Sequence, residues 1–129
     1  MSALFRIVQR IASRQVPAVV VATSAITLTY DQATRWVIVH NTGAAAAVTV
    51  SLPAAVVGMR VTAVVKAAQE LRLDPNGTET IALPATGVQQ AAGKYITADA
   101  LSESITLACL VTGTWDPVGA TDGTWTVEA

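Results

Sequence analysis

Apolar and polar residues alternate along most of this chain. Ile26-Thr27-Leu28-Thr29-Tyr30 and Val48-Thr49-Val50-Ser51-Leu52 switch at every step. Met59, Val61, Ala63 and Val65 share one parity, with Arg60, Thr62 and Lys66 on the other. Glu70-Leu71-Arg72-Leu73-Asp74 and Trp125-Thr126-Val127-Glu128 repeat the pattern. A period of two puts one set of side chains on a buried face and the other on an exposed face, so each run predicts a strand. Arg35-Trp36-Val37-Ile38-Val39-His40 lacks the alternation and predicts a strand covered on both faces.

Turn chemistry separates these runs. Asn41-Thr42-Gly43 and Asp74-Pro75-Asn76-Gly77 join residues that preset or tolerate the special dihedrals of turns. Pro53, Gly58, Pro84, Gly87, Gly93, Gly113, Pro117, Gly119 and Gly123 mark further breaks. Strand candidates therefore recur about every 8–12 residues, the spacing of a sandwich or jelly roll. The expected fold is all-β: an antiparallel, jelly-roll-like β-sandwich over residues 17–129, after a short N-terminal arm or helix over residues 1–16. Ala54-Ala55-Val56-Val57 reads as one helical turn and Gln89 to Lys94 as loop. No sequence repeat of roughly 20–50 residues is visible.

The N-terminal segment has a different period. Leu4, Ile7, Val8 and Ile11 fall on one helical face, while Arg6, Arg10 and Arg14 recur every four residues on another. Pro17 ends any such helix, because the residue before a proline avoids the α region. A helix this short is marginal alone in water and needs a surface to order it. An arm that docks on a neighbouring protein, or a first strand with its lead-in, is the preferred reading, ahead of a helix packed on its own domain. A secretory leader or an organelle transit segment shares the arginine-rich, acid-free start.

Composition narrows the function classes. The chain has 129 residues, of which 52% are hydrophobic and only 13% charged. So little charge on a single small domain suggests that part of the surface is covered by another subunit. The formal net charge is −1, so no bulk positive field recruits nucleic acid. No apolar stretch reaches the roughly 20 residues of a membrane helix. The single Cys109 excludes an intrachain disulfide framework and a multi-cysteine zinc site, and its apolar surroundings predict a buried thiol.

Candidate chemistry is sparse. His40 is the only histidine; no Gly-x-Ser-x-Gly motif accompanies it, and it is expected at the core margin. Asp74, Asn76 and Glu79 offer oxygen ligands at close spacing without a full calcium-loop pattern. Trp115 and Trp125 flank the loop from Asp116 to Thr124; core packing or subunit contact is the commoner use of such rings, and with Asp116 they are also candidates for surface recognition, since indole faces stack on sugars. No enzyme activity, cofactor or metal is expected.

Three stretches resemble segments of small virion proteins of tailed bacteriophages. They are Val48 to Ala55 with Gly58 to Thr62; Ala68 to Ile81; and Ser104 to Leu107 with Gly113-Thr114-Trp115-Asp116 and Gly123-Thr124-Trp125. Such segments occur in capsid decoration (cement) proteins, head fibres and tail-fibre domains. The resemblance spans roughly residues 26–126 and implies a virion β-sandwich, often trimeric, with no catalytic residues. A chain of 129 residues without a long shaft favours decoration over a fibre. The implied partner is the major capsid protein on the outer capsid surface. Leu4, Phe5, Arg6, Ile7, Val8, Arg10, Ile11 and Arg14 would form the capsid-contact arm. The alternative is a fibre or spike module that binds a receptor or carbohydrate.

Overall fold

The computed structural model describes residues 16–129; apart from Val16, the expected N-terminal arm lies outside the described residues. Eleven strands and one helical turn follow in the order β1 (Ala18–Val21), β2 (Ile26–Thr27), α1 (Tyr30–Thr34), β3 (Val37–His40), β4 (Val48–Ser51), β5 (Arg60–Val64), β6 (Leu71–Asp74), β7 (Thr80–Ile81), β8 (Ile96–Ala98), β9 (Ser104–Ala108), β10 (Thr114–Pro117) and β11 (Thr126–Val127). The first sheet runs β1-β3-β5-β9-β10-β7 and the second β11-β8-β6-β4-β2. The chain is all-β, as its alternation requires.

The sheets are mixed, which corrects the antiparallel expectation. Up to β6 the chain alternates between sheets: β1, β3 and β5 enter the first, and β2, β4 and β6 the second. Each connection crosses the core edge and reverses the chain, and the next crossing reverses it again. Same-sheet neighbours therefore arrive pointing the same way, which a tight hairpin cannot produce. Ala18 pairs with Val37, 19 residues on, Val37 with Val61, 24 on, and Val48 with Leu71, 23 on. A structural repeat thus exists where the sequence shows none. From β8 onward the strands close the sheets mostly antiparallel: β8 on β6, β9 on β5, β10 on β9 and β11 on β8.

One contiguous core lies between the sheets. Val37, Val39, Val61, Ala63, Ile105 and Leu107 face Val48, Val50, Leu71, Leu73 and Ile96, and all are buried. The predicted parity holds at Met59, Val61, Ala63 and Val65, which are all buried, with Thr62 and Val64 half-exposed. Asn41 is the one fully buried polar side chain among the described residues. Its Oδ1 accepts from Lys66 N (2.7 Å) and Ala67 N (2.9 Å), and its Nδ2 donates to Ala67 O (3.2 Å) and Gln69 O (3.3 Å). One amide thus fastens the corner after β3 to the corner after β5, and every donor and acceptor it uses is matched.

Several local expectations change. The alternation at Ile26–Tyr30 stops at Thr29, which caps α1. Thr29 Oγ1 accepts from Gln32 N (3.2 Å), and Gln32 Oε1 accepts from Thr29 N (2.9 Å). This Thr-x-x-Gln capping box satisfies backbone donors that a continuing strand would have used otherwise. Ala54–Val57 form no helical turn but an irregular approach to a turn at Val57-Gly58. The strand predicted at Arg35–His40 begins at Val37 and is covered on one face only, since Ile38 and His40 are half-exposed.

Candidate interaction surface

The outer faces of the two sheets differ in chemistry. On the second sheet the outward positions are Thr49, Ser51, Glu70, Arg72, Asp74, Thr97 and Thr126, with Tyr95 and Glu128 beside them. Arg72 Nη2 donates to Glu70 Oε2 at 2.9 Å, and its guanidinium lies 5.0 Å from the Tyr95 ring centre. The Arg72 hydrogen bond holds the Glu70 carboxyl below the usual carboxylate range, against burial. Burial, and then the charge of Glu128, push Asp74 upward. This face is a solvated polar surface with its charges internally paired or spaced.

The outer face of the first sheet is mixed, with an apolar strip on β1, β3 and β5 and polar side chains beside it. Register places Val19, Ile38, Thr62 and Thr106 in one row and Val21, His40, Val64 and Ser104 in the next. Val19 is 62% exposed and Val21 55%. Ile38, His40, Thr42, Val64 and Lys66 line a shallow hollow of about 170 Å³. Arg60 and Lys66 are exposed on this side of the molecule. Apolar side chains here thus face solvent between polar neighbours and flanking cations.

Trp36 occupies one end of this face by an unusual backbone route. It follows α1 with φ 73°, the left-handed region normally left to glycine at a helix end. A non-glycine there costs about 1–2 kcal/mol. Offsetting contacts hold it: Nε1 donates to Thr62 Oγ1 (2.9 Å), Thr62 Oγ1 meets Thr106 Oγ1 (2.8 Å), and the Arg60 guanidinium lies 5.5 Å from the indole centre. The strained turn lays the indole over β5, where it meets Thr62 and Arg60.

A second exposed patch lies at the loop end. Val56 and Val57, after β4, stand beside Leu110 and Val111, after β9, and all four are exposed. Gly58 N donates to Cys109 O (3.0 Å), Cys109 N to Met59 O (3.0 Å) and Gly113 N to Ala55 O (3.1 Å), so the two loops form one unit.

The structure redistributes the residues singled out from sequence. Trp115 is 0% exposed and Trp125 3%, so the expected surface recognition platform is corrected: both indoles are core. They lie on the inner parity of short closing strands, where large apolar groups fill space between the sheets. Asp116 stays half-exposed and accepts from Gln89 Nε2 (3.1 Å). His40 points away from the core, and its Nδ1 meets Thr42 Oγ1 at 2.8 Å. Asp74, Asn76 and Glu79 do not converge; both Glu79 oxygens accept from Ala55 N (2.9 and 3.2 Å). Among the described residues no three His, Cys, Asp or Glu side chains gather as metal ligands. Cys109 is buried, its Sγ is 3.3 Å from Val111 O, and burial pushes its thiol pKa up. The arm residues Leu4, Phe5, Arg6, Ile7, Val8, Arg10, Ile11 and Arg14 lie outside the described residues.

The outer face of the first sheet was missed in the sequence. Its one signal is the uncharged run Ala18-Val19-Val20-Val21-Ala22, where apolar residues occupy both parities. Among the described residues no helix is long and apolar enough to cross a membrane. The class defined by the described fold and surface is thus an all-β domain whose one outer face is polar and whose other carries an apolar strip. No family model, no curated protein and no solved structure matches the chain.

Proposed function

We propose that this chain is a tailed-bacteriophage capsid decoration (cement) protein that binds the outer shell surface and bridges capsomers. The observation that supports this reading is the apolar strip on the outer face of the first sheet, with Ile38 and Val64 at its centre and Trp36 packed at one end against Thr62 and Arg60. A face of this kind adheres without reacting. The apolar loop tips at Val57 and Leu110 add a second contact. Several modest patches on one oligomer act together, because the first contact raises the effective concentration of the next. Arg6, Arg10 and Arg14 supply planar cations that pair bidentately with carboxylates of the major capsid protein. No reaction and no cofactor enter the mechanism.

The test is co-sedimentation with undecorated shells assembled from the major capsid protein of the same virus. Ile38→Asp and Val64→Asp are expected to weaken binding at least about tenfold, the effect of losing one buried apolar contact. Thr49→Asp, on the outer face of the second sheet, is the control and should leave binding intact. Failure of the unaltered chain to bind shells overturns the reading.

A second reading, a fibre or spike module, draws on the parallel winding of residues 18–74, whose neighbours repeat every 19–24 residues. It predicts binding to host cells and none to shells.

A further inference from the structure

Each sheet has two edges, and three of the four are closed or very short. β2, β7 and β11 are two residues each. The neighbourhood of β7 is also covered by the following loop, through Gln90 N to Ile81 O (2.9 Å) and Leu83 N to Val88 O (3.2 Å). β1 is different. It has four residues, Ala-Val-Val-Val, and carries no charge, proline or bulge within its length. Proteins ordinarily blunt such an edge with those devices.

The direction of its free groups follows from its pairing with β3. Ala18 N donates to Trp36 O (3.0 Å) and Ala22 N to His40 O (2.8 Å). Ala18, Val20 and Ala22 therefore turn their amides and carbonyls inward to β3. Val19 and Val21 turn theirs to the open side, where no described residue pairs with them.

We infer that β1 pairs with β1 of a second copy of this chain, antiparallel and about a two-fold axis. The sequence of the edge is complementary to itself in one register. Val19 and the copy's Val21 then exchange both backbone hydrogen bonds, and Val21 does the same with the copy's Val19. Their side chains meet on the outer face as cross-strand β-branched pairs, a favourable combination in sheets. Val20 meets its own copy on the inner side, where it already packs against the core. Ala18 meets the copy's Ala22 at a close, non-hydrogen-bonded position, where Cα atoms approach to about 4.5 Å and small side chains fit. The next outward position is Pro17, which has no N–H, so the ladder stops there. No charge lies between Val16 and Ala22, so two copies approach without repulsion. Pairing joins the two first sheets into one and makes the apolar strips of their outer faces continuous. An edge paired with itself gives a two-fold, in place of the three-fold that the resemblance implies. The inference is independent of shell binding.

The experiment uses the full chain, with sedimentation equilibrium and residue-resolved amide exchange from micromolar to millimolar concentration. The expected result is a monomer–dimer equilibrium in which the Val19 and Val21 amides become protected as dimer forms. Val19→Pro removes an outward donor and spares the bonds to β3, so it should weaken dimerisation about tenfold or more while the circular dichroism spectrum is kept. Val21→Lys, which sets two cations near the axis, should do the same and serves if the proline variant does not fold. A monomer at every concentration overturns the inference. So does association that either variant leaves unchanged in a folded chain. Protection of Val19 and Val21 in the monomer also overturns it, since residues 1–15 of the same chain would then hold the edge.

Discussion

Residues 18–74 and residues 80–127 build one core by opposite means. The first region crosses between sheets at every connection and stacks its strands in parallel. The second folds back on it and closes both sheets with mostly antiparallel pairs. The first buries medium-sized aliphatic residues in rows, Val37 beside Val61 and Val48 beside Leu71. The second supplies the large fillers Trp115 and Trp125. Rows of similar aliphatics suit strands that repeat the same position. The closing strands meet an irregular remaining space, which one large ring fills better than several small groups. The apolar strip and the free edge β1 both belong to the region that winds.

The two regions should nevertheless unfold together, because their side chains share one core. Trp115→Ala carries the largest expected effect, a loss of about 3–5 kcal/mol in the free energy of denaturant unfolding. One transition seen by both tryptophan fluorescence and circular dichroism supports a single cooperative unit. An early separate loss of residues 80–127 would break the unity of the two regions. Trp115→Phe should cost much less, since the buried Trp115 Nε1 has no hydrogen-bond partner and phenylalanine removes that orphaned donor.

Asn41→Ala tests the winding region. It strips partners from the backbone of Lys66, Ala67 and Gln69, and a loss of about 1–3 kcal/mol is expected by thermal or chemical denaturation. Faster amide exchange should be concentrated at Lys66 and Ala67. Exchange that quickens uniformly would show that this corner opens only with the whole domain.

Gly123→Ala tests the closing region at smaller cost, about 1–2 kcal/mol. Gly123 has φ +81°, and an added Cβ would meet the Glu103 carboxylate. That carboxylate accepts from Ala100 N (2.7 Å), Asp99 N (3.1 Å) and Thr124 N (2.6 Å), so it ties the loop before β9 to the approach to β11. The variant should loosen this tie and leave the Asn41 corner protected.

The smallest effect is a pH dependence. The backbone bond from Ala100, with those from Thr124 and Asp99, holds Glu103 below the usual carboxylate range, against burial. A depressed carboxylate stabilises the fold above its unfolded pKa, and that contribution fades as pH falls through the folded value. Acidification should therefore lower the protection factors of the Ala100 and Thr124 amides, and Glu103→Gln should flatten the response. Asp74, raised by burial, works with the opposite sign and gains as pH falls. Protection factors at these amides that are indifferent to pH would show that the tie does not depend on charge.

How far the surface was legible follows from particular residues. Ile38, His40 and Val64 alternate with buried neighbours, so their outward parity is readable, but period two does not say which parity faces the core. Trp36 was legible as an apolar residue in a strand; only its left-handed turn and its bond to Thr62 place it over β5 on the outer face. Trp115 and Trp125 beside glycine-rich loops read as either core rings or surface groups, because a sequence does not show which loop flanks a closing strand; burial assigns both to the core.

The sequence by itself determined the β character of the chain, the alternation within β4, β5 and β6, and most breaks between strands. Those features are local: steric preference sets the alternation, and Gly, Pro and Asn set the turns. Only the tertiary structure decided that β1, β3 and β5 pair in parallel with one another, and β2, β4 and β6 likewise, since strand direction depends on which sheet each loop crosses to. The same crossing left β1 as an edge and the first sheet's outer face uncovered by any described residue. Pairing between strands 19–24 residues apart depends on contacts far along the chain, and no local pattern records them.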